Sequence, residues 1–362
     1  MIRRDMKRNN VKILLAFSVA LLLLVANAWA IILDELTKEW KQSFEVNQDA
    51  TVEIHNKYGK VHVTTWDQNK VDIKVVAYVD VNDAETGKKL LDEIDVTMTG
   101  TADHVKAVTD INCKLTGKNC NKLKIDYTIS MPKDNNLVIK NKFGDVFVDA
   151  LNGNSDLEIS YGNMTCNRLQ GKGNVVDVAF GKATLEDITS CKLNARYSDV
   201  NIGKADHLDA DTHYSGLVIT KATTIYNVSE YDKLVQIDAC DDAHVDCSFS
   251  SHRIGKVNDK LNLKVNYGSC EVKEIPRDFK QVDIDCRYGS TVIYFDEDAS
   301  FNFTGSCSMG GLDFPRNATN LTKESKGSTD YQVAGKVGNA TNPKANVSVS
   351  ECKYGSVKLK FK

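Results

Sequence analysis

From residue 136 onward, apolar and polar residues alternate in short arms that meet at an aromatic side chain. Leu157 and Ile159 lie four and two residues before Tyr161, as do Val176 and Val178 before Phe180, and Leu193 and Ala195 before Tyr197. Val146 and Val148 lie three and five residues after Phe143, as do Val200 and Ile202 after Tyr197, and Leu217 and Ile219 after Tyr214. Each aromatic is followed by a small residue or Asp. The pair recurs at Phe143, Tyr161, Phe180, Tyr197, Tyr214, Tyr231, Phe249, Tyr267 and Tyr288, and Met309-Gly310 continues the series. Successive spacings are 18, 19, 17, 17, 17, 18, 18, 21 and 21 residues, and Tyr58-Gly59 and Tyr354-Gly355 carry the same unit near the two ends. Period-two alternation on both arms predicts two short strands per unit, each with one buried face. The phase changes at the small residue, which predicts a corner there, with Gly supplying a positive φ.

A near-constant period favours a parallel β-solenoid of about ten short coils over residues 136–314, because stacked coils need nearly equal perimeters. A sandwich of antiparallel hairpins is the alternative. Cys247, Cys286, Cys307 and Cys352 each lie two residues before an anchor, where other units carry Ile159, Val178 and Val265. That places them in one interior column, where a thiol packs as a small hydrophobe. Cys286 and Cys307 are expected on adjacent coils, within disulfide reach. Cys113 and Cys120 fall outside the repeat in a polar stretch, and their spacing allows a local disulfide.

Residues 31–135 break the period and read as a β-rich N-terminal cap, with Leu90, Leu91 and Ile94 marking a short helix near 84–94. Residues 315–345 are polar and read as a loop or insertion, and residues 346–362 as a terminal strand pair. Residues 1–30 have a basic start, an apolar run from Ile13 to Val25 and small residues at Ala26, Ala28 and Ala30. This is the layout of a signal peptide. Apolar character continues to Leu33, so a retained anchor is the rival reading, and a membrane is met only through this leader.

Charge narrows the function classes. Residues 31–362 carry 41 Lys and Arg against 48 Asp and Glu, which argues against a nucleic-acid partner. None of the seven histidines has zinc-ligand spacing, and no metal or cofactor is expected. Asp209 with Asp211, and Asp283 with Asp285, put carboxylate pairs on outward faces, as do His213 with Asp211 and His244 with Asp246; solvated surface is the reading adopted for all of them. Asp241-Asp242 reads as a turn. No phosphate-binding loop or nucleophile elbow occurs. Polysaccharide lyases also use parallel β-helices, but these units leave only short connections, too short for cleft walls, so no enzyme is expected.

The segments VEIHNKYGKVHVTTWDQNKVDIKVV (52–76) and YTISMPKDNNLVIKNKFGDVFVDALNG (127–153) carry an x-Pro turn and an Asn-x-aromatic-Gly-x-Val unit. In these features the chain resembles the bacterial putative-adhesin family, exported proteins with a head-GIN-type domain, over about residues 44–362. The resemblance implies a right-handed parallel β-solenoid, an envelope or surface location and no catalytic residue set. High cysteine content and the 315–344 insertion depart from the family pattern. The resulting expectation is an exported adhesin-like interaction or scaffold module in the periplasm, at the cell surface or secreted, with envelope proteins or polysaccharide as partners. Carbohydrate or surface-polymer binding is the alternative, with a polysaccharide-acting enzyme behind it.

Overall fold

The computed structural model describes residues 36–81, 83–112 and 122–362; the leader and the Cys113/Cys120 pair lie outside them. Among the described residues the alternation becomes 26 strands in one hydrogen-bonded sheet, with one α-helix and one short 3-10 turn. The sheet is mixed: parallel through the repeat and antiparallel at both ends.

At the N-terminal end, β1 (Leu36–Glu45) lacks deep burial and lies on the edge. It is followed by β2 (Thr51–Lys57), β3 (Val61–Trp66) and β4 (Lys70–Asp80). Helix α1 (Ala84–Asp92) starts where Asp83 accepts a hydrogen bond from the Thr86 amide at 2.9 Å, an N-cap. Its far end meets the Lys38 ammonium, which donates to the Leu91 and Ile94 carbonyls at 3.2 and 2.9 Å. A cation there complements the helix dipole. Then come β5 (Ile94–Gly100), β6 (His104–Ile111) and β7 (Lys122–Pro132). β1, β4 and β7 pair antiparallel in that order, as do β5 and β6. β2 and β3 are parallel to β6 and β7 on one side and to the first repeat strands on the other. The unit around Tyr58 is therefore the first member of the stack, and the antiparallel strands cover its open side as a cap must.

The repeat runs through β8 (Asn136–Lys142), β9 (Val146–Leu151), β10 (Ser155–Ser160), β11 (Asn163–Leu169) and β12 (Asn174–Ala179). It continues in β13 (Lys182–Arg196), β14 (Asp199–His213), β15 (Gly216–Glu230), β16 (Leu234–Ser248) and β17 (Ser251–Asn266). From β13 to β17 the arm after one anchor and the arm before the next fuse into a single strand of 15 or 16 residues, where two separate short strands were expected. Neighbouring units pair parallel, which rules out antiparallel hairpins. Leu185, Ile202, Ile219, Ile237 and Ile254 face one another in register and are all buried. Asp241-Asp242 lies inside β16 and not in a turn; only its pairing with β17 shifts register there.

The C-terminal end leaves sequence order. After β18 (Ser269–Ile275), β19 (Gln281–Arg287), β20 (Ser290–Phe295), β21 (Phe301–Ser308) and β22 (Gly311–Asp313) come β23 (Thr319–Lys326) and β24 (Asp330–Val337). β23 and β24 form an antiparallel hairpin laid against β21. The polar segment 315–345 is thus largely strand and not a loop. Its outer strand is an edge with an exposed face, so the apolar alternation that marks a strand is missing there. The last strands, β25 (Ala345–Lys353) and β26 (Ser356–Phe361), insert between earlier ones: β25 between β19 and β21, β26 between β20 and β22. Cys352 consequently sits between Cys286 and Cys307, which are not on adjacent units as the sequence order suggested.

The corners also differ from expectation. Positive φ falls on the anchors, from Tyr58 (61°) through Tyr354 (52°), with Met309 among the twelve, and not on the small residue after them. The glycine is needed for closeness instead. A Cβ on Gly59, Gly144, Gly162 or Gly181 would lie 1.9–2.1 Å from a carbonyl oxygen of the unit beneath. Later corners are looser: the residue after the small position donates its amide to the preceding corner's carbonyl, as Gly216 does to Ser198 at 2.9 Å. Ser or Asp fits there.

Candidate interaction surface

A left-handed conformation costs an L-residue roughly 1–2 kcal/mol. Here it turns each aromatic ring outward over the corner, onto the ring of the next unit. Tyr58, Phe143, Tyr161, Phe180, Tyr197, Tyr214, Tyr231, Phe249, Tyr267, Tyr288 and Tyr354 stack in that order, with centroids 4.7–5.3 Å apart and planes within 21°. That spacing is the interstrand distance, so one repeat sets both. Aromatic pairs contribute about 0.5–1.5 kcal/mol each, comparable to the backbone cost. The rings from Phe143 to Tyr288 remain 41–53% exposed, but through their edges, because their faces lie against neighbours.

The outward residue just before each anchor is often basic: Lys57, Lys142, Arg196, Arg287 and Lys353 are exposed. Two positions earlier the row carries Glu158, Asp177, Asp211, Asp246 and Asp285. The rows brace each other. Arg287 contacts Asp285 at 3.5 Å and reaches Glu351 through Nε at 3.0 Å. His213 contacts Asp211 at 2.9 Å and Glu230 at 3.4 Å. Partial burial raises the Asp285 carboxyl, and Glu351 and Asp246 push the same way against the pull of Arg287 and Lys264.

The two carboxylate pairs are not brought together. Asp209 and Asp283 share one outward row but are separated by Tyr226, His244 and Asn262; Asp211 and Asp285 are separated by Val228, Asp246 and Lys264. The two pairs are thus four strand spacings apart, ~19 Å. Along the first of these rows lies a shallow depression of about 250 Å³, with Tyr226, His244, Asn262 and Asp283 in its lining. Tyr226 is 56% exposed and its ring is outside the ladder, tilted against His244 at 5.6 Å.

Interior chemistry is of two kinds. Cys247, Cys286, Cys307 and Cys352 are buried free thiols, and so are Cys166, Cys191, Cys240 and Cys270. Burial pushes the Cys247 and Cys352 thiols up to about 12, so they are neutral packing groups at physiological pH. The second kind was not anticipated. In four consecutive units Ser198, Ser215, Asp232 and Ser250 replace the corner glycine, all buried. Asp232 accepts from the Ser215 amide at 2.7 Å, from the Ser229 hydroxyl at 2.9 Å and from the Thr212 hydroxyl. Ser250 donates to the Ser248 carbonyl and accepts from the Asp232 amide, each at 2.9 Å. Close by in sequence, His252 is buried with Nε2 2.8 Å from Asn227 Oδ1, and burial holds its pKa down to about 3. The residue letters signalled this: two of the four polar corners, Ser215 and Asp232, fall in the units whose column two before the anchor becomes Thr212 and Ser229.

Among the described residues, no group of three or more His, Cys, Asp or Glu side chains is placed to hold a metal ion, and no helix is long and apolar enough to cross a membrane. No family model matches the chain, and no curated protein matches it. Among solved structures it is similar to a putative adhesin from Bacteroides fragilis, at 13% identity over 89% of this chain and 97% of that one, with a TM-score of 0.28. It is similar to a putative adhesin from Parabacteroides merdae, at 8% identity over 90% and 96%, with a TM-score of 0.30. It is likewise similar to a putative lipid binding protein from Parabacteroides distasonis, at 10% identity over 90% and 97%, with a TM-score of 0.26.

Proposed function

We propose that the protein is an exported, non-catalytic envelope or surface module, whose units wind as a right-handed parallel β-solenoid and which acts as an adhesin-like interaction or scaffold element. The observation that carries this reading is the closed aromatic ladder. A sugar packs its C–H face on an open ring face, and here those faces are taken by neighbouring rings. What remains is a rigid stripe of ring edges flanked by basic side chains, a geometry suited to protein contact. The connections support the same reading: β13 to β14 is joined by Tyr197 and Ser198 alone, and β14 to β15 by Tyr214 and Ser215. Two-residue corners raise no walls around a substrate.

The Tyr226 depression favours a second reading, surface-polymer binding, because that ring lies outside the ladder beside amide and carboxylate groups. One experiment separates the two. A photoreactive residue is placed at Arg196 or at Tyr226 and the protein is cross-linked in native cells. The scaffold reading expects discrete protein adducts from position 196 in a non-cytosolic fraction. Recovery of the full-length chain in the cytosol contradicts it. Saturable glycan binding lost in Tyr226→Ala, with no protein adduct at 196, replaces it with the second reading.

A further inference from the structure

β25 is the penultimate strand in sequence, yet it is held between β19 and β21. Its Cys352 therefore has a thiol on each side: Cys286 is directly opposite on β19, and on β21 Cys307 lies one residue before Ser308, which opposes Lys353 just past a shift in register. The two flanks are not equivalent. A Cβ built on Gly310 would meet Cys307 Sγ at 3.1 Å and Cys352 Sγ at 3.2 Å, so both sulfurs border one point beneath that corner. Cys352 Sγ donates toward the Gly311 carbonyl at 3.4 Å, on the side of the Cys307 strand. Cys286 Sγ points elsewhere, 3.9 Å from the Ser356 carbonyl. Directly opposed residues on neighbouring strands lie ~5 Å apart at Cα, inside the disulfide range of about 4.4–6.8 Å.

We propose that Cys307 and Cys352 are an oxidisable pair whose disulfide fastens the out-of-order strand β25 to β21 and so locks the C-terminal end of the stack. The bond closes the chain segment that carries the β23–β24 hairpin. Both sulfurs are buried once β25 is seated, so oxidation belongs to the step before seating. The oxidant is a small-molecule disulfide. The Cys307 thiolate attacks one of its sulfurs and expels the first thiolate. As β25 docks, the Cys352 thiolate attacks the mixed disulfide and expels the second. Two protein thiols are oxidised, one disulfide is reduced to two thiols, and the two protons lost by Cys307 and Cys352 pass through solvent to the two expelled thiolates. Relevance in the cell rests on the proposed export to an oxidising compartment; the chemistry can be tested without it.

The full chain is denatured, reduced, and refolded with oxidised glutathione, then digested without reduction and mapped by mass spectrometry. The expected product is a peptide pair joined through Cys307 and Cys352, present in Cys286→Ser and lost in Cys307→Ser. Amide exchange in residues 346–361 is expected to be at least tenfold slower in the oxidised protein than in the reduced one. Cys307→Ser is checked by circular dichroism, and the exchange comparison on the unsubstituted chain stands whether or not that variant folds. A Cys286–Cys352 link, all three thiols free after refolding, or equal exchange in the two redox states each overturns the proposal.

Discussion

Replacing Asp232 with alanine is expected to lower unfolding stability by about 3–5 kcal/mol, because buried polar groups left without partners cost about 1–3 kcal/mol each. The side chain is only 3% exposed and is the acceptor for one amide and two hydroxyls from two neighbouring units. Truncation strands the Ser215 amide outright. The Thr212 hydroxyl has a poorer fallback in the Val228 carbonyl at 3.4 Å. Asp232→Asn keeps the oxygen facing Ser215 and needs the two hydroxyls to turn and accept, so it is expected to cost about 1 kcal/mol. Urea denaturation of the three proteins decides this. A loss below about 1 kcal/mol for the alanine variant would mean that the network is not holding these corners.

Gly162→Ala is the second large effect. Its new Cβ would lie 2.1 Å from the Gly144 carbonyl oxygen, a backbone atom that can yield only if the unit beneath shifts. Forced backbone movement in a packed stack costs about 3 kcal/mol or more. Gly216→Ala is the control: its Cβ would meet only Asp199 Oδ1 at 3.0 Å, the end of a side chain that can swing away. A change within about 0.5 kcal/mol is expected there, since Gly is a poor strand residue to begin with. Equal midpoints for the two variants in denaturant would refute the claim that backbone of the unit beneath is what requires glycine after the early anchors.

The interior columns were legible because each unit repeats them. Leu193, Ala210 and Val245 stand in one column and Leu185, Ile202 and Ile219 in another, and spacing alone assigns both. The outer strand β23 was not legible, because a strand buried on neither face has no apolar alternation to show, and β24 alone offers only Val333 and Val337 as buried apolar positions. The placing of β25 was hidden for another reason: local pattern identifies a strand, but its neighbours are chosen by long-range pairing. Tyr58 and Tyr354 looked like outliers in sequence for the same reason, yet they complete the ladder at both ends. The positive φ of the anchors runs against residue preference, and only the continuous stack of rings accounts for it. Asp232 showed in sequence only as the acidic member of the small-residue column, and its burial runs against the usual exposure of a lone carboxylate. The matching change to Thr212 and Ser229 in the neighbouring column was the clue.

Hydrogen exchange on Ile202→Asp tests the central claim most directly. Ile202 is 2% exposed and lies in register between Leu185 and Ile219, so the substitution buries a charge inside a single unit. If stability is carried from unit to neighbouring unit, amide protection is lost over residues 180–230 and largely kept over 260–300. Uniform loss of protection across both segments would instead mean one core shared by strands distant in sequence, and would contradict the stacked-unit account.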